Sequence, residues 1–183
     1  MKFKINPKGM MRFGLLIIPI FILILFACAT VPVKQYEETV SQWKSYEDVG
    51  KWMEVNFVYD FERYHGILRG KETIHPRSAS QTFALKSGVC TDGAYFAKET
   101  LNQINPEYKA KVVFINVSMK PGHDHYVCSF EEDGKIYIMD YATAYSSMRG
   151  IHGPFNSLHE YKKYYETRHP VNKDTISVTY TRW

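Results

Sequence analysis

The spacing of apolar residues changes abruptly at Pro106. Before it, Ala94, Ala97, Leu101 and Ile104 recur at three- and four-residue steps, which is one face of a helix. The helix so predicted opens at Cys90 and is ended by the proline. After it, "AKVVFINVSM" is β-branched, and "HYVCSF" and "KIYIMD" read as two further strands joined by the turn-forming "EEDG". A helix that runs directly into an antiparallel hairpin restricts the chain to helices packed on a sheet. Upstream, "SYEDVGKWMEVNF" predicts a helix with Ser45 as N-cap and Asp48 at the third position, and with Val49, Trp52, Met53 and Phe57 along one face. Helices first and an antiparallel sheet after them make the expected fold α+β.

The remaining segments are read more simply. "HGILRGKETIHPRSA" is expected to be a loop. "SASQTFALKSG" is expected to be a short helix or turn, with Gly88 available to stop it. "YATAYSSMRGIHGPF" is expected to be a loop, "SLHEYKKYYETRH" a helix with Ser157 and Glu160 in a capping box, and "TISVTYTRW" a final strand.

The N-terminus has to be separated from the fold. Lys2, Lys4, Lys8 and Arg12 precede the apolar run Leu15 to Phe26, and the small residue Ala27 precedes Cys28. The run is short of the roughly 20 apolar residues of a membrane-spanning helix. Basic, apolar, small is the layout of an export signal. "Leu-Phe-Ala-Cys" resembles the lipobox of bacterial lipoproteins, which implies cleavage before Cys28 and lipid attachment there. An uncleaved signal anchor is the alternative, and either reading leaves the body outside the cytoplasm. The expected organisation is a signal peptide at residues 1–27, a tether at 28–44 and one domain at 45–183. Ala29 lacks the acid that resembles an inner-membrane retention signal, so the expected location is the bacterial outer membrane or cell surface. The 23 basic and 19 acidic residues of the chain become 19 of each once the four basic residues of the signal are removed. The body therefore offers no bulk-charge argument for binding nucleic acid.

With Cys28 assigned to lipid, Cys90 and Cys128 remain of the three cysteines. In an exported protein they could form a disulfide. Cys90 also sits at a helix N-terminus, where the macrodipole and free N–H groups favour a thiolate. His125 begins one hairpin strand and Asp140 ends the next. A turn over residues 131–134 places His125 opposite Asp140, with Cβ atoms about 4.5–5.5 Å apart. A two-residue turn at Asp133-Gly134 instead places Asp140 opposite Val127, diagonal to His125 and on the same face. A loop of three or five residues would put the two on opposite faces. A thiol, an imidazole and a carboxylate so arranged supply nucleophile, acid/base and orienting group for acyl transfer through a thioester.

"SQTFALKSGVCTDGAYFAKETL" followed by "HDHYVCSFEEDGKIYIMDYAT" resembles the transglutaminase-like, papain-fold superfamily in the order Cys, His, Asp and in the fifteen-residue step from His125 to Asp140. "KWMEVNFVYD" resembles the helix and Phe-x-Tyr segment that lead into that core. The resemblance covers residues 45–145 and implies a Cys-bearing helix packed against an antiparallel sheet. It implies catalytic roles for Cys90, His125 and Asp140, no cofactor, and a peptide, protein or cell-wall peptide as substrate. It leaves peptidase, amidase and acyl transfer open. On a strand His125 and Val127 share one face and Cys128 the other. If His125 faces Cys90, Cys128 points away and is a buried thiol.

Other readings compete. His123 and His125 have metal-ligand spacing, and Asp140 could join them in a zinc hydrolase. A membrane-tethered binding module without catalysis is the other class. Gln81 is a candidate oxyanion donor by analogy with papain-type enzymes. His65, His75, His152, His159 and His169 show no partner pattern and are expected at the surface. The segment after Asp140 is expected to form a wall or a lid of the site.

Overall fold

A computed structural model of the protein describes residues 33–117, 124–170 and 175–182. The export segment, Cys28 and His123 lie outside the described residues. Chain order runs from a helix over residues 33–40 (α1) to α2 (Tyr46–Asn56), β1 (Val58–Tyr59), α3 (Phe61–Leu68), α4 (Ala79–Leu85), β2 (Ser87–Gly88) and α5 (Cys90–Ile104). Then follow β3 (Lys111–Val117), β4 (His125–Glu132), β5 (Lys135–Asp140), β6 (Gly150–Phe155), α6 (Leu158–Arg168) and β7 (Thr175–Tyr180). The fold is α+β. Its five-stranded sheet has the order β6-β5-β4-β3-β7, with every pairing antiparallel.

The sheet is covered on both faces. Cys128, Phe130 and Met139 project to one side, against Phe96, Ala97 and Leu101 of α5, Met53 of α2 and Phe83 of α4. Val113, Ile115, Val127 and Ile138 project to the other side, against Tyr161 and Tyr165 of α6. Leu101 and Phe96 have no exposed surface, and each such side chain contributes about 1.5–3 kcal/mol of burial. That layer holds α5 flat on β4.

The hairpin closes through a two-residue turn. Asp133 (φ 51°) and Gly134 (φ 71°) both adopt left-handed backbone, the turn whose twist matches its strands. Glu132 pairs with Lys135 and Cys128 with Met139. Of the two registers read from the sequence, the one that sets Asp140 diagonal to His125 is therefore correct, and direct opposition is not.

Several local expectations are corrected. The segment expected to be a tether contains α1, whose Tyr36 and Val40 are buried in the core. Residues 65–68, expected in a loop, are the second half of α3, which Asp60 caps by accepting the Arg63 N–H at 2.9 Å. Helix α4 is stopped by Lys86 in left-handed backbone, not by Gly88. Gly88 pairs with Tyr59 in the parallel β1–β2 pair. Residues 150–155, also expected in a loop, form β6. Cys90 and Cys128 are both free thiols. Cys128 fails to bridge as expected, yet the geometric reason differs. Helix α5 lies on the same face as Cys128, while Cys90, at the first position of that helix, lines a cleft with His125.

Candidate active site

Helix α5 begins with Val89 as its N-cap, a residue with no side-chain acceptor, so the task falls to the third helical position. Asp92 there is fully buried and accepts the Val89 N–H at 2.9 Å and the Arg77 N–H at 2.8 Å. Its charge is matched by Arg63, whose Nε donates to Asp92 Oδ2 at 2.9 Å. The same guanidinium donates to Glu72 at 2.7 Å and to the His75 carbonyl at 2.9 Å. Burial works against the charge of Arg63, but Asp92 and Glu72 outweigh it and hold the group firmly protonated. A Cβ on Gly88 would lie 2.5 Å from that of Asp92, so this position accepts only glycine. The first turn of α5 is thus pinned from three sides, and its free N–H groups include that of Cys90.

One turn into the helix, Gly93 faces Ala142, and a Cβ there would collide with the alanine methyl. Ala142 follows Asp140 by two residues. This close approach brings the start of α5 to the end of β5.

His125 and Asp140 meet at that end. His125 Nε2 lies 2.8 Å from Asp140 Oδ2. Asp140 is 1% exposed at its side chain and His125 13%. Burial opposes a charged ring, but the charge and hydrogen bond of Asp140, joined by Cys90, outweigh it and hold the His125 pKa well above its ordinary value. With Nε2 directed at Asp140, Nδ1 is the nitrogen left for Cys90. Cys90 adds a side-chain hydrogen bond and a charge to the ring, both smaller in effect than those of Asp140. Cys128 differs: burial pushes its thiol pKa far up, against a small opposing effect of Lys98.

A cleft of about 270 Å³ opens over these groups. Cys90 and His125 line it together with Tyr59, Phe61, Tyr64, Tyr145, Tyr165, His169 and Asp124. Ala142, Thr143 and Ala144 complete the wall, as expected for the segment after Asp140.

The predicted set is thus brought together in part. Cys90, His125 and Asp140 converge. Gln81 does not: it is exposed on α4, where its Oε1 accepts the Ser78 N–H at 3.0 Å, and it does not line the cleft. Among the described residues no group of three His, Cys, Asp or Glu side chains is placed to hold a metal ion. His65, His75 and His159 are exposed as expected. His169 is not, being buried between Tyr145 and Tyr165. His152 is also no plain surface residue: it donates from Nε2 to the Met148 carbonyl at 2.7 Å and accepts the Tyr164 hydroxyl at Nδ1 at 2.9 Å.

The sequence assigns no role to Asp92 or Arg63, and Tyr59 enters it only as the tyrosine of the Phe-x-Tyr segment. Asp92 was open to detection, because it follows Val89 by three residues, the spacing of a capping acid. Arg63 carried no signal, since its partner lies in another helix. Tyr59 sits in a strand too short to show a period.

A family model described as a transglutaminase-like domain matches residues 29–164, a span that contains Cys90, His125 and Asp140. No curated protein matches the chain.

Proposed function

The chain belongs to the transglutaminase-like domain family, and from that membership we propose that it is a thiol enzyme of amide bonds, working through Cys90, His125 and Asp140. The observation that carries this reading is the 2.8 Å contact between His125 Nε2 and Asp140 Oδ2 in a cleft that Cys90 also lines.

The chemistry follows from the geometry. Asp140 accepts a hydrogen bond from the Nε2–H, fixing the ring and stabilising its charged form. The raised pKa of His125 favours the imidazolium that an adjacent thiolate needs. The Cys90 sulfur attacks the amide carbon and the carbonyl electron pair moves to oxygen. As the tetrahedral adduct collapses, the C–N bond breaks and His125 delivers its proton to the leaving amine. The neutral ring then takes a proton from water, for hydrolysis, or from an amine, for transfer. The nucleophile adds to the thioester carbon, the C–S bond breaks, and the acyl product leaves as the sulfur returns to a thiolate beside the imidazolium.

The substrate proposed is a peptide, protein or cell-wall peptide. Export and lipid attachment at Cys28 are proposed from the basic, apolar, small layout of residues 1–28, and they would tether the enzyme outside the cytoplasm, at the outer membrane or cell surface. Among the described residues no helix is long and apolar enough to cross a membrane.

The test is to incubate purified protein with a panel of peptide and cell-wall amides, with and without an added primary amine, and to follow products by mass spectrometry. Cleavage or amine incorporation that is absent from Cys90→Ala supports the reading. Turnover that persists in Cys90→Ala rejects it.

A further inference from the structure

Removal of Gln81 from the cleft leaves the oxyanion of the proposed reaction with one evident donor, the backbone N–H of Cys90. Resting on that reading of the site, we infer that the Tyr59 hydroxyl is the second oxyanion donor, and so a catalytic residue.

Tyr59 lines the cleft beside Cys90 and His125. Its backbone position is set against the nucleophile by covalent and hydrogen-bonded links. Tyr59 pairs with Gly88, two residues before Cys90, and the Asp60 N–H donates to the Gly88 carbonyl at 2.9 Å. Its ring is braced by Phe61 at 5.0 Å and Tyr64 at 6.1 Å between centroids. A donor for an oxyanion must be held in advance and must not be committed elsewhere. Among the described residues no group hydrogen-bonds the Tyr59 hydroxyl.

The electrostatics agree. Burial raises the Tyr59 pKa first, and Cys90 is the largest charge adding to the effect, with Asp140 also contributing. The phenol therefore keeps its proton at any working pH and stands within the field of the sulfur, where negative charge moves onto the substrate oxygen. In the step itself the thiolate adds to the carbonyl carbon, the C=O π pair becomes the oxyanion, and the Tyr59 O–H and the Cys90 N–H donate to it without proton transfer. Collapse returns the pair to the carbonyl and expels the leaving group.

The experiment compares two reactions of Cys90 in wild type and Tyr59→Phe. Acylation by p-nitrophenyl acetate passes through an oxyanion, and alkylation by iodoacetamide does not. Tyr59→Phe should slow Cys90-dependent p-nitrophenolate release by about 10²-fold or more while leaving alkylation of Cys90 unchanged. Tyr180→Phe, which removes an exposed phenol on β7 away from the cleft, should leave both rates unchanged. Equal acylation in wild type and Tyr59→Phe overturns the assignment and leaves the thiol enzyme standing. Parallel loss of both reactions gives Tyr59 a packing role and also overturns it, as does an equal loss in Tyr180→Phe. Wild-type release no greater than that of Cys90→Ala removes the underlying reading, and this proposal with it.

Discussion

Gly93 faces Ala142 across the junction of α5 and the chain leaving β5, with no space between them for a methyl group. The helix that Cys90 opens and the strand that ends in Asp140 are in register because neither residue carries more bulk. Cys90 lies one turn before this contact and Asp140 two residues before Ala142, so the contact sets the distance between the two ends of the site.

Gly93→Ala therefore tests that spacing. The added methyl must push α5 away from the sheet or displace the wall of the cleft. Overpacking of this kind costs about 1–3 kcal/mol. Urea unfolding should show a loss of that size, and alkylation of Cys90 should slow with it. Full stability and full reactivity would mean that the two elements are not held by this contact.

Arg63 and Asp92 form a buried pair beneath the first turn of α5. Arg63→Met leaves the Asp92 carboxylate buried without its cation, and breaking such a pair costs about 3–5 kcal/mol. Arg63→Met with Asp92→Asn removes both charges and should be less destabilised than Arg63→Met alone. Chemical denaturation of the three proteins checks the order. The single variant should also react more slowly at Cys90 near neutral pH, because an unmatched carboxylate at the helix N-terminus opposes a thiolate.

His125 carries a pH signature. Its pKa in the folded protein is raised well above 6.5 by Asp140, against the effect of burial. The stability that this ion pair contributes is present in full below the unfolded value and is lost as pH rises through the folded one. Removing the Asp140 charge leaves burial in control of the ring, and the His125 pKa falls. The gap in stability between wild type and Asp140→Asn should therefore be widest near pH 6 and narrow toward alkaline pH. NMR titration of the His125 ring should show the matching downward shift in the variant.

Gln81 acts at the start of α4 and not in the cleft. Gln81→Ala should cost about 0.5–1.5 kcal/mol through the lost bond to the Ser78 N–H. It should leave alkylation of Cys90 unchanged. A fall in reactivity without a fall in stability would return Gln81 to the site.

What the sequence could convey follows from where the information lies. The α5 face and the hairpin were legible because Ala94, Ala97 and Leu101 and the strands around Asp133-Gly134 carry their own periods. The site was legible because Cys90, His125 and Asp140 stand at the ends of those elements. Strand β6 was hidden, since glycines and Pro154 interrupt any alternation, a pattern that an edge strand tolerates. Helix α1 was hidden because only Tyr36 and Val40 of it reach the core. The burial of His169 depends on how α6 returns toward Tyr145, which no local spacing encodes. Tyr59 and Arg63 acquire their places through contacts with residues distant in the chain.

In the proposed site Cys90 is activated by a ring that Asp140 holds. This activation is tested most directly by mass-resolved iodoacetamide labelling of the two free thiols at neutral pH. Cys90 should be labelled at least about tenfold faster than Cys128, whose thiol burial keeps protonated, and His125→Ala should remove most of that advantage. Equal, slow labelling of both cysteines, or a Cys90 rate indifferent to His125→Ala, would contradict it.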